Sequence, residues 1–371
     1  MTRTLSLKFR FYSFVCIALL TLVHAYNLEN GYLMPSTFVS EPLTFTSYVE
    51  YLFANGLLRF RLPILFIISG FLFAYQDNRS YSAQIKKRFE TLLVPFFLWS
   101  LFSLLFTFLL QRFSYTADIV YRAEIDQQGQ NIPYENLSWW GIISRWLLTP
   151  PAFQLWFIHS LFFYNLFYPA IRWIVVKGYL WTIVPVTLFL WVIDFNLIIE
   201  GQGLLCFSLG VWLQKNNFSL ERKPKWLDIP FVAIVYFGVN IIKTFMAFEL
   251  AEYARVIPLQ VVFHLLYYIS VFTGVLTVWY GADAIVYKCM RNKRFVAASH
   301  FSFFIYGFHV PFLVYLSTWL LDVLQGFIYK RIIVYILASV ITIGLALLIA
   351  NLLRKLTPKF YKILTGGRGL G

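Results

Sequence analysis

The chain has 371 residues, of which 60% are hydrophobic and only 13% charged. Soluble domains carry about 25% charged residues, so a water-soluble globule is excluded. The formal net charge of +14 does not call for nucleic acid, because Lys and Arg gather on the cytoplasmic loops of membrane proteins.

Apolar runs of spanning length predict an all-α polytopic helix bundle. About ten transmembrane helices are expected, over residues 10–28, 57–76, 92–111, 153–172, 180–198, 202–214, 229–247, 259–281, 301–321 and 332–353, in a single domain covering 1–371. The runs are continuous rather than alternating, which favours helices over a barrel. Most basic residues fall in alternate loops, which predicts an even number of spans and both termini cytoplasmic. The three cysteines, Cys16, Cys206 and Cys289, show no metal or redox spacing, so neither a disulfide framework nor a metal site is expected.

In chain order, the first candidate is His24, near the far end of the apolar run from Phe11 to Asn27. An ionisable side chain inside a span is costly and therefore a functional candidate. It fits either a general base for a hydroxyl or a nucleophile that carries an acyl group itself. The same stretch also resembles a secretory signal with cleavage near Val23-His24-Ala25; its length and the aromatic Phe11-Tyr12 entry favour a retained helix.

Arg59 and Arg61 precede Pro63 at the outer end of the second expected span, against the cytoplasmic bias of the other cations. They suit an anionic group or a developing oxyanion, and snorkelling to lipid phosphate is the alternative. Ser69-Gly70 is a small polar pair at mid-membrane, suited to close helix approach or to lining a donor tunnel. Lys86-Lys87-Arg88 is a basic cytoplasmic loop that could receive donor phosphates, with Arg88 the candidate. The stretch Gln154 to His159 opens the fourth span. Trp156 and His159 are its candidates, with His159 expected at a depth similar to His24. Glu200, in an outer hairpin, is a candidate partner for an arginine or imidazole, whereas Lys243 is expected to snorkel out of its span. In FSFFIYGFHVPF, Tyr306 and His309 share a helix face beside the distorting Pro311. By the expected topology His309 lies in the inner half, apart from His24. No GxSxG, HExxH, Walker or GxGxxG pattern is present.

Five blocks carry a resemblance: the first helix ending in His24, FRLPILFIISGFLFAY, KKRFETLLVPFFLW, QLWFIHSLFFYN and FSFFIYGFHVPF. In this order they resemble the acyltransferase 3 family of bacterial integral membrane O-acyltransferases. The resemblance implies a cytoplasmic acyl-CoA donor, acetyl-CoA in the simplest case, and no bound cofactor. It implies a glycan or glycolipid hydroxyl as acceptor on the far side of the inner membrane. It also implies a catalytic role for His24, and functional roles for Arg59, Arg61, Tyr306 and His309. The chain departs from the family at Ser13, where a basic residue, most often arginine, usually stands eleven positions before the histidine; the nearest arginine is Arg10. No extracytoplasmic SGNH domain is expected, so a protein partner for acyl delivery is an option. A transporter or glycan flippase without chemistry is the rival, although no inverted repeat with broken helices is visible.

Overall fold

The computed structural model describes residues 1–26, 37–125, 133–192 and 201–369. Among the described residues every regular element is a helix. In order these are α1 (Arg3–His24), α2 (Phe45–Tyr51), α3 (Arg61–Ala74), α4 (Tyr81–Arg88), α5 (Val94–Leu110), α6 (Ser114–Arg122), α7 (Trp139–Leu147), α8 (Trp156–Leu166) and α9 (Tyr168–Val176). They continue with α10 (Ile183–Val192), α11 (Gly201–Lys215), α12 (Ile229–Glu249), α13 (Ile257–Gly281), α14 (Asp283–Arg291), α15 (Lys293–Ser299), α16 (Ser302–Val323), α17 (Lys330–Leu356) and α18 (Pro358–Leu364).

Seven stretches of the described residues are long and apolar enough to cross a bilayer: Arg3–His24, Phe45–Ala74, Tyr81–Leu110, Ile229–Glu249, Ile257–Gly281, Ser302–Val323 and Lys330–Leu356. Each overlaps an expected span. The second and third are longer than their apolar cores because π-helical turns, Leu52–Leu57 and Phe89–Leu93, join them to the more polar α2 and α4. The other three expected spans appear as shorter helices. Residues 153–172 divide at Phe167 into α8 and α9, since Pro169 has no N–H with which to continue the first helix. The 180–198 and 202–214 runs give α10, of ten residues, and α11, of fifteen.

The closest packing is between α3 and α11. A Cβ on Gly70 would overlap the Phe207 carbonyl, and one on Gly210 would overlap that of Ile67. Glycine at both points lets the two backbones touch. Helix α1 runs antiparallel to α3: the Met1 ammonium donates to Tyr75 Oη at 2.8 Å, Phe9 meets Phe71 edge-on at 5.5 Å, and the far ends meet around His24. At its start Lys8 is buried on Asp283 at 2.6 Å, and Tyr12 stacks on Trp279 at 5.0 Å. Arg331, at the start of α17, clamps Glu41 at 2.8 Å and Glu50 of α2 at 2.7 Å. Glu41 and Glu50 are thus buried structural partners of Arg331.

At the other end of α3, Asp77 accepts from Tyr168 Oη at 2.6 Å, from Arg172 at 2.9 Å and from Lys215, so it joins α3 to α9 and α11. Burial alone would raise its carboxyl, but the hydrogen bonds from Lys215 and Tyr168 and the nearby charges outweigh burial and hold it below the ordinary carboxylate range. A depressed folded-state value means this contribution is complete above the unfolded value of about 3.9 and fades as pH falls through and below it. Asp77→Asn is therefore expected to cost about 2 kcal/mol at neutral pH, the scale of hydrogen bonds to a charged group. The expected readout is a lower melting temperature in detergent at pH 7, with the gap to the parent closing in acid; an equal melting temperature at pH 7 would refute the assignment.

Candidate active site

Three elements build the site: the end of α1, the broken middle of α16, and the 3-10 turn Phe153–Leu155 before α8. Helix α16 is interrupted at Val310, whose backbone is extended (φ −112°, ψ 136°). Pro311 brings no N–H, so the Gly307 carbonyl loses its helical donor. Buried carbonyls need partners, and Gln154 supplies one. Its Nε2 donates to the carbonyls of Tyr306 at 3.3 Å, Gly307 at 3.3 Å and Val310 at 3.2 Å. Tyr306 Oη returns a bond to the Gln154 carbonyl at 2.6 Å. Gln154 is thus the strut of the break.

His309 shares one of these acceptors, the Tyr306 carbonyl. Its Nδ1 lies 2.8 Å from the Tyr306 oxygen and 3.1 Å from that of Ile305. A carbonyl can only accept, so Nδ1 carries the proton and, in the neutral ring, Nε2 is an acceptor. His24 Nδ1 sits 3.0 Å from that Nε2, with the two rings stacked at 5.2 Å and 14°. His24 must therefore donate from Nδ1, which leaves its Nε2 as the basic nitrogen. Phe153 closes the pocket edge-on to His24 at 5.0 Å. Both histidines are buried, His309 completely.

This corrects the expected depth of His309. Arg10 bonds Val296 and Ser299 at 2.9 Å, so residue 10 of α1 is level with the start of α16. From there His24 stands about 21 Å along its helix and His309 about 10 Å along its own. The two imidazole side chains, reaching towards each other, close that difference. Arg10 is committed to that bond set and to His300, so it does not replace the basic residue absent at Ser13. Arg61 and Arg59 are the cations within electrostatic range of His24.

Neither arginine snorkels; both are buried, Arg61 at 2% exposure. Arg61 Nη1 donates to the Leu58 carbonyl at 2.7 Å, and Arg59 Nη2 donates to Asn55 Oδ1. Asn55 lies in the π-helical turn, a distortion that recurs at functional sites. Its Nδ2 donates to Tyr26 Oη at 2.8 Å and its carbonyl accepts from Lys243. Lys243 also departs from expectation. It is fully buried, its Nζ 5.4 Å from the Tyr267 ring centroid, 5.7 Å from Phe263 and 5.8 Å from Tyr51, because an internal carbonyl and three ring faces replace the interface it would otherwise reach.

The remaining candidates divide. His159 does not join His24: its ring stacks on Phe96 at 5.4 Å and meets Phe163 at 4.9 Å, since α8 carries it past the turn that faces the histidine pair. Trp156 is half-buried against Phe66 at 6.3 Å, and Ser69 is half-buried beside Gly70, about two turns of α3 from Arg61. Arg88 lies over the Phe73 ring at 5.3 Å, at the opposite end of α3. Glu200 lies outside the described residues. Gln154, Asn55 and Lys243 are the members of the site that sequence reasoning missed. The unpaired carbonyl implied by Pro311 was the available signal for Gln154; a charge in mid-span was the signal for Lys243.

The acyltransferase 3 family model, described as an acyltransferase domain, matches residues 14–351. No curated protein and no solved structure matches the chain.

The tautomer chain has a direct test. Nitrogen-15 spectra of histidine-labelled protein in detergent are expected to show both His24 and His309 protonated at Nδ1. In His309→Ala the His24 ring is expected to lose that single tautomer, and a His24 signal unaffected by the substitution would disprove the relay.

Proposed function

The chain belongs to the acyltransferase 3 family, and from that premise we propose that it moves an acyl group, acetyl in the simplest case, from cytoplasmic acyl-CoA to a hydroxyl of an extracytoplasmic glycan or glycolipid. That it is a membrane acyltransferase follows from the family and from its apolar spans. The observation that carries the finer reading is the His24–His309 hydrogen bond, which aims a basic imidazole nitrogen from a buried, polar site.

On this reading His24 is a base rather than a nucleophile. Its Nε2 takes the proton of the acceptor hydroxyl as the oxygen attacks the thioester carbonyl carbon. The imidazolium that forms keeps donating from Nδ1 to His309, so the ring does not turn as it charges. Arg59 and Arg61 neutralise the oxyanion of the tetrahedral intermediate. Its collapse breaks the C–S bond; the thiolate leaves with the proton from His24, giving ester and free CoA. The shorter helices α8 to α11 complete ten crossings of the inner membrane, with both termini cytoplasmic and the basic loop around Arg88 facing the donor.

Removing a general base typically costs 10²–10⁴-fold in rate. His24→Ala is expected to lower acyl transfer from acetyl-CoA by about a hundredfold or more, while the protein inserts and elutes from detergent as the parent does. Mass spectra of surface glycans would then lack a fixed increment in cells that carry the variant. Transfer that persists in His24→Ala would sink the assignment, and saturable glycan flux without acyl turnover would favour a transporter.

A further inference from the structure

The turn between α3 and α4 holds a cleft of about 230 Å³ lined by Gln76, Arg79, Ala83, Gln84, Lys87 and Arg88. Pockets that enclose a whole small ligand run from about 300 Å³ upward, so this cleft suits part of a larger one. Three of its six residues are cationic. Asp77, the acid in the same turn, is already engaged by Lys215, Arg172 and Tyr168. The cleft therefore presents net positive charge, suited to phosphate.

Gln84 adds a second, independent feature. It is 7% exposed, and its Nε2 donates to the carbonyls of Gln76 and Arg79, both at 3.2 Å. Those acceptors fix the amide orientation, so Oε1 is the other end. That oxygen is buried and has no donor among the described residues. A buried acceptor without a donor is costly and marks the place of a missing one.

Position supplies the third constraint. Gln76 lies fifteen residues beyond Arg61, or about 22 Å along α3. A ligand seated in the cleft reaches the histidine pair only through a long arm. Phe73, Ser69 and Phe66 share one face of α3 by their spacing. Phe73 lies under Arg88, and Phe66 touches Trp156 at 6.3 Å. The face thus runs from the cleft towards the turn that carries Gln154.

We propose that this cleft seats the nucleotide end of the acyl donor, with phosphates on Arg79, Lys87 and Arg88 and the exocyclic amine of adenine donating to Gln84 Oε1. The proposal rests on the acyl-CoA reading above and assigns its recognition to named groups. The amide oxygen selects a base with an amine at that edge and opposes a 6-oxo base, whose oxygen would face another acceptor.

The test uses the full-length protein in detergent, with adenosine 3′,5′-bisphosphate and its 6-oxo inosine counterpart as competitors of labelled acetyl-CoA. The adenosine compound is expected to compete about tenfold better, the scale of one hydrogen bond. Gln84→Leu should erase that preference. Gln84→Glu, which keeps an acceptor but loses the turn-holding donor, should retain it; a merely structural role would leave the ratio unmoved in both. Lys87→Gln with Arg88→Gln should weaken both competitors and raise KM for acetyl-CoA with little change in kcat. Equal binding of the two nucleotides, or a preference that survives in Gln84→Leu, overturns the cleft assignment while acyl-CoA turnover stands. Failure of the parent protein to bind or turn over acetyl-CoA overturns the donor reading and this proposal with it.

Discussion

A backbone carbonyl deprived of its helical partner, deep in a membrane protein, must find another donor, because there is no water to supply one. In α16 the break at Val310-Pro311 creates that demand at Gly307, and Gln154 answers it. Gln154 reaches in from the turn before α8 and also meets the Tyr306 carbonyl, to which His309 donates from within α16. By donating to a carbonyl, His309 loses the choice of tautomer. That loss passes through its Nε2 to Nδ1 of His24, so the tautomer of His24 is set by a backbone carbonyl of α16. A backbone carbonyl thus does for His309 what a carboxylate does for the histidine of a serine-protease triad, without a second buried charge.

The positive side of the pocket is constructed on the same economy. Arg59 and Lys243 are like charges within electrostatic range, an arrangement that is expensive in a low-dielectric interior. Asn55 reduces that cost by offering its side-chain oxygen to one and its backbone oxygen to the other. Asn55 does this from within the π-helical turn at Leu52–Leu57, a distortion that recurs at functional sites. The ring faces of Tyr51, Phe263 and Tyr267 add the remaining compensation. Arg59 and Lys243 are therefore held together by the turn between α2 and α3 and by α12.

Much of this was legible before the structure. Hydropathy located all seven long spans to within a few residues at their apolar cores, because a span is a property of composition over a window. His24, Arg59, Arg61 and His309 stood out as polar groups where polar groups are costly. Partnership was not legible. His309 was placed apart from His24 because counting residues from the loop treats every helix as straight and every side chain as a point. His159 was grouped with His24 on depth alone, yet depth says nothing of azimuth, and its ring turns to Phe96. Lys243 was expected at the interface because a sequence does not show the carbonyl and three rings that meet it. Gln154 reads as an ordinary polar residue at a helix start until Pro311 is seen to need it.

The two ends of α3 constrain each other. Its seam with α11 is closed: Gly70 and Gly210 bring the backbones so near that no chain of atoms passes between them. Its contact with α1 is sealed near the cleft by Phe9 on Phe71. What remains is the face of Phe73, Ser69 and Phe66, bordered by the aromatic side chains of α8. Those contacts are between side chains rather than backbones, with Phe66 at 6.3 Å from Trp156 and at 4.6 Å from Phe157. Aromatic side chains at such spacings move by rotamer changes, whereas a glycine-packed backbone seam does not. On the donor reading proposed above, an arm entering from the α3–α4 turn would have to displace the buried rings of Phe73 and Phe66 along this face. That face leads to the turn in which Phe153 packs on His24 and Gln154 braces the broken α16, so on that reading the strut would also stand where the arm arrives.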